Sequence, residues 1–148
     1  KDNQVYVSKL PHAATLIYRI VETFVSDFNK SPEMTENDSA LEWSMAALAN
    51  VGVAKVCRNY FIESGALELV LRFLQEHIPS CMTSRQILDV LAMLTFKSVE
   101  NLKRARRSNA VAITLTVMSK YRDDKVIQSV GDVLVEKLRE AAILEENY

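Results

Sequence analysis

Apolar residues in this chain recur at steps of three and four, the spacing that gathers side chains on one face of an α-helix. From Val5 to Phe28 the pattern runs through Leu10, Ala13, Ala14, Ile17, Ile20, Val21, Phe24, Val25 and Phe28. It predicts a first helix with Ser8 as its N-cap and Pro11 near the first turn, where a missing N–H is harmless. The stretch 29–39, NKSPEMTENDS, holds almost nothing to bury and reads as a flexible loop. Ser31-Pro32, and Thr35 with Asp38 three residues on, make that loop a candidate for phosphorylation. Ser39 is then expected to cap a helix over 40–53. Further helices follow over 55–62, 67–77, 83–97, 98–107, 111–121 and 125–144.

The order of these elements repeats. Ser64-Gly65-Ala66 and Ser108-Asn109-Ala110 each sit between a short helix and a medium one, 44 residues apart. A reversal this tight favours a left-handed backbone, which Gly adopts at no steric cost and Asn tolerates better than other residues. The long helices align in the same way, with Met45/Leu48/Val51, Leu88/Leu91/Leu94 and Ile127/Val130/Val133 as successive inward triplets.

At its best-matched junction, Arg58 to Leu74 (RNYFIESGALELVLRFL), the chain resembles the boundary between the first and second helices of an armadillo repeat. Ala47-Leu48-Ala49-Asn50-Val51 is similar to a segment of that family's third helix. The resemblance implies an all-α fold, a right-handed α-solenoid of about 2.5 to 3 three-helix repeats. In this reading 5–28 is an N-terminal helix or degenerate repeat, 40–53 the third helix of a partial repeat, and 54–97 and 98–144 full repeats of one domain. The sequence departs from the family at Glu68, where Pro is frequent, and at Ala46, where peptide-binding members carry Trp. Met93 and Asp132 replace the amide of Asn50 in the later repeats. The competing readings are an ordinary helical bundle and a HEAT-like solenoid.

A solenoid stacks its third helices along one side, so their outward residues form its natural contact surface. Helical geometry assigns to that surface Trp43, Ala46 and Asn50, then Gln86, Asp89 and Met93, then Lys125, Gln128 and Asp132. Trp43, the only tryptophan, lies two turns before Asn50 and offers an aromatic anchor beside an amide; packing against the first helix or the loop is the other reading of it. The mixed signs of the set fit an extended or helical peptide better than a polyanion. The expected function is therefore that of a protein-interaction scaffold or adaptor, with structural self-assembly as an alternative.

Composition sharpens this picture. The 148 residues are 49% hydrophobic and 25% charged, and contain only 3 Gly and 3 Pro. A sheet-rich fold needs turn residues about every ten positions, so this scarcity of breakers points to long helices. Eighteen basic against nineteen acidic side chains leave a net charge of -1, giving no overall field to draw nucleic acid or an anionic membrane. A local exception is the cluster Lys97, Lys103, Arg104, Arg106 and Arg107, opposed only by Glu100. It is read first as a solvated helix face, and otherwise as a site for an acidic peptide, a phosphoprotein or a nucleic-acid backbone. The acidic end, Glu136, Glu140, Glu145 and Glu146, roughly balances it.

Catalytic patterns are missing. His12 and His77 lie in no metal-ligand spacing, and no phosphate-binding glycine loop or nucleophile elbow occurs. Neither a metal nor a cofactor is expected. Cys57 and Cys81 have no C-x-x-C spacing and suit buried thiols in a reducing, intracellular compartment. No run of eighteen apolar residues suggests a membrane span. The first residue is Lys1 rather than Met, which predicts a piece of a longer protein.

Overall fold

The computed structural model describes residues 12–33 and 35–146, and every element among them is helical. The order is α1 (Ala13–Lys30), α2 (Thr35–Val51), α3 (Lys55–Glu63), α4 (Ala66–Glu76), α5 (Cys81–Thr95), α6 (Val99–Arg107), α7 (Ala110–Lys120) and α8 (Lys125–Glu146).

Local chemistry fixes most of these boundaries. The Ser80 hydroxyl accepts the Thr83 N–H at 3.3 Å and caps α5. The Ser98 hydroxyl accepts the Asn101 N–H at 3.2 Å and caps α6. Asp124 caps α8 by accepting the N–H groups of Val126 and Ile127. Each such cap contributes roughly 0.5–2 kcal/mol. The two short-to-medium junctions turn through left-handed residues as the repeat predicts, with φ of 86° at Gly65 and 63° at Asn109. A β-branched residue at either position would cost about 1–2 kcal/mol.

Four long helices lie side by side: α1 packs on α2, α2 on α5, and α5 on α8. Helices α2 and α5 run parallel. At their N-terminal ends the Ser80 N–H donates to the Asp38 carboxylate at 3.2 Å, and near their C-terminal ends a Cβ on Gly52 would lie 2.3 Å from Met93 Sδ. Beneath them runs a second row, in which α4 packs on α7 and Phe28 of α1 meets Phe73 of α4 edge-on at 5.2 Å. The short helices α3 and α6 join the rows. The core is continuous through the molecule and takes Met45 and Leu48 from α2, Ile87, Leu88 and Leu91 from α5, and Ile127, Leu134 and Leu138 from α8.

Several expectations are corrected. The polar stretch 29–39 is mostly helical, because α1 continues to Lys30 and α2 starts at Thr35. Its side chains satisfy the ends of helices: Asn37 Nδ2 donates to the carbonyls of Ser31 and Asp27 at the end of α1. Ser39 therefore lies inside α2 and is not its N-cap. In α8, Val133 is 42% exposed, while Leu134 is buried. Two successive steps of three had drifted off the inward face, which follows Ile127, Gly131, Leu134 and Leu138 at the helical period. The expected Ser8 cap, Leu10 and Pro11 lie outside the described residues, as do the side chains of Thr35, Glu145 and Glu146.

Candidate functional site

Helices α2, α5 and α8 each turn one stripe away from the core, and these outward stripes carry most of the residues that the sequence singles out. On α2 the outward positions are Trp43, Ala47 and Asn50, with Ala46 half-buried beside them. Trp43 is 73% exposed, so its indole packs neither on α1 nor into the core. Asn50 is exposed and its Nδ2 donates to the Ala46 carbonyl at 2.9 Å.

The pairing of α2 with α5 sets the register across the face. With Asp38 against Ser80 and Gly52 against Met93, offsets of 42 and 41 residues, Trp43 stands level with Ser84 and Arg85, and Ala46 level with Ile87 and Leu88. Gln86 is half-buried and Asp89 exposed. Desolvation by the surrounding protein nevertheless raises the Asp89 carboxyl above its ordinary value. Met93 is half-buried, because its thioether lies across the bare Cα of Gly52.

On α8, Lys125 and Asp132 are exposed, whereas Gln128 is half-buried and belongs to a different place. Its Nε2 donates to the carbonyls of Met118 at 2.9 Å and Tyr121 at 3.1 Å, closing the C-terminal end of α7. Gln128 is thus a structural cap, which the corrected register of α8 explains. Sequence reasoning also missed Ala47 and the exposed Met82. Counting back from the buried Ile87 and Leu88 at the helical period would have found Met82.

The basic cluster lies apart from this face, on and before α6. Lys97 and Arg107 are exposed, whereas Lys103, Arg104 and Arg106 are half-buried. Arg104 is committed to a salt bridge with Glu68 of α4, so the five cations do not act as one undivided patch.

The thiols are quiet. Burial raises the pKa of Cys57. Burial together with the neighbouring Asp124 carboxylate raises that of Cys81, whose S–H donates to Asp124 Oδ2 at 3.0 Å. A thiolate nucleophile needs the opposite environment. His77 meets Phe28 edge-on and Phe73 at a tilt, with ring centroids 5.6 Å apart in both pairs. No group of three His, Cys, Asp or Glu side chains able to hold a metal occurs among the described residues. A cleft of about 610 Å³ lies at the loop edge between Phe28, Asp38, His77 and Lys120. Lys120 donates there to the Ile78 carbonyl at 2.8 Å and Tyr121 to that of Pro79, so its walls are occupied in joining loops.

The molecule is an all-α protein, and among the described residues no helix is long and apolar enough to cross a membrane. No family model matches the chain, and no match is found among curated proteins or solved structures.

Proposed function

We propose that this chain is a short solenoid of armadillo type, with α2 as the third helix of a partial repeat and α3–α5 and α6–α8 as full repeats. It works as a protein-interaction module, holding a peptide or helix of a partner along the outward face of α2, α5 and α8. The observation that carries this reading is Trp43, a large aromatic side chain 73% exposed on α2, which packs against the helix that bears Asp89. An exposed tryptophan forgoes about 1.5–3 kcal/mol of burial, a loss that a partner's docking recovers. Asp89 supports it as well, since a desolvated carboxylate gains most from a charged or hydrogen-bonding ligand group.

The single tryptophan is also the assay. A partner captured by the wild-type protein and purified should shift Trp43 emission to the blue and shield it from acrylamide. Trp43→Ala and Asp89→Lys should each weaken that capture at least tenfold while leaving the helical circular-dichroism signal intact. A partner that binds with Trp43 emission and quenching unchanged would overturn the reading.

A further inference from the structure

The two turns that lead from α2 into α3 and from α5 into α6 share one backbone path. In the first, Gly52 N donates to Leu48 O and Ala54 N to Val51 O; in the second, Phe96 N donates to Ala92 O and Ser98 N to Thr95 O. Because α2 and α5 run parallel, and Gly52 abuts Met93, these turns project side by side from one edge of the molecule. That edge is apolar where solvent reaches it. Val53 and Val56 are 59% and 76% exposed on the first turn, and Phe96 and Val99 are 39% and 50% exposed on the second.

Cations stand between them. Lys55 belongs to the first turn and Lys97 to the second, and Lys103 follows Val99 one helical turn later on the same face of α6. Arg58 adds a fourth charge, with its guanidinium donating to the carbonyls of Gly52 and Val53 at 3.3 Å. None of the four forms a salt bridge with a described residue, and Glu100 is the one acidic side chain within the second turn.

We infer that this edge is a docking surface, separate from the α2/α5/α8 face, for an acidic amphipathic helix of a partner protein. Packed helices such as α2 and α5 stand about 8–10 Å apart, and seven residues of a helix rise about 10.5 Å. Apolar residues seven apart on a partner helix therefore reach both turns at once. Acidic residues flanking them meet Lys55, Arg58, Lys97 and Lys103. A partner helix fits this surface better than an anionic bilayer does, because the whole chain carries a net charge of -1, and such a molecule is not drawn to a negative surface as a body.

The probe is a synthetic, fluorescein-labelled helix of about twenty residues with Leu at i, i+3, i+7 and i+10 and Glu on its other faces. Its counterpart replaces every Glu with Lys. By anisotropy the acidic helix should bind, more weakly as salt rises, and the lysine helix should not. Val56→Asp/Val99→Asp and Lys55→Glu/Lys97→Glu should each weaken the acidic helix at least tenfold, whereas Trp43→Ala should leave its affinity unchanged. Circular dichroism checks that the variants are folded, and Val56→Asp alone serves if a double variant is not. The inference fails if the acidic helix does not bind, if the lysine helix binds equally, or if the edge variants bind as the wild type does. It fails equally if anionic phosphatidylserine vesicles bind through these residues and the helix does not.

Discussion

Asp89 stands in surroundings that disfavour its charge. Desolvation raises its carboxyl pKa, so folding is opposed once the group ionises. The stability it withholds is present below the ordinary carboxyl value near about pH 4 and is lost as pH rises through the higher folded value. Asp89→Asn should therefore raise the melting temperature at pH 7, with the gain shrinking to nothing near pH 3. A gain of equal size at both pH values would mean that the carboxyl is not desolvated. Asp89 could be assigned to the outward face from sequence, because it falls on the helical period opposite Leu88 and Leu91. Its desolvation could not, since that depends on the helices standing on either side of α5. Gln128 makes the converse case: its side chain turns to the carbonyls of Met118 and Tyr121, partners that periodicity within α8 does not reveal.

At the scale of the helix pair, two glycines mark where methionines cross. A Cβ on Gly52 would meet Met93 Sδ at 2.3 Å and Cε at 2.4 Å, and a Cβ on Gly131 would meet Met118 Sδ at 2.5 Å and Cγ at 2.7 Å. The first contact is with the flexible tip of a half-buried side chain, which can swing out over the face. The second reaches further back along a side chain only 9% exposed, between α7 and α8. Gly52→Ala should accordingly be near neutral in urea unfolding, whereas Gly131→Ala should cost about 1–3 kcal/mol through overpacking. Adding Met118→Ala to Gly131→Ala should remove the overpacking part of that loss, and strictly additive costs would refute the crossing. Both glycines are visible in the sequence, but their roles are not, because each is set by a methionine on another helix. The segment 29–39 fails at the same scale. Its polarity reads as a loop, yet Asn37 and Asp38 use that polarity to bond the end of α1 and the start of α5.

Across the whole molecule, acidic residues tie successive long helices together at the loop edge. Asp38 accepts from Ser80 in the first seam. In the second, Asp124 accepts from Cys81 and pairs with Arg85 while capping its own helix. The Arg85 guanidinium, followed by the Cys81 thiol and the Ile127 N–H, holds the Asp124 carboxyl well below the usual carboxylate range. A depressed folded pKa contributes stability above the unfolded value, lost as pH falls toward the folded one. Asp124→Asn should lower the melting temperature at pH 7, and the gap between variant and wild type should narrow below about pH 4. Hydrogen exchange should quicken first at the start of α8. A gap that stays constant down to pH 2 would refute the seam.

What the amino-acid sequence determined alone is the set of helices, their inward faces on α2 and α5, and the two left-handed junctions at Gly65 and Asn109. These follow from short-range rules: side-chain period, capping and the sterics of a single residue. Tertiary structure decided which outward residues stay exposed, that Gln128 turns to the end of α7, that Arg104 is tied to Glu68, and that two turns leave apolar and cationic side chains in solvent. Those outcomes depend on the packing of helices about forty residues apart in the chain, and no periodicity within one helix encodes which residue of a neighbour it will meet.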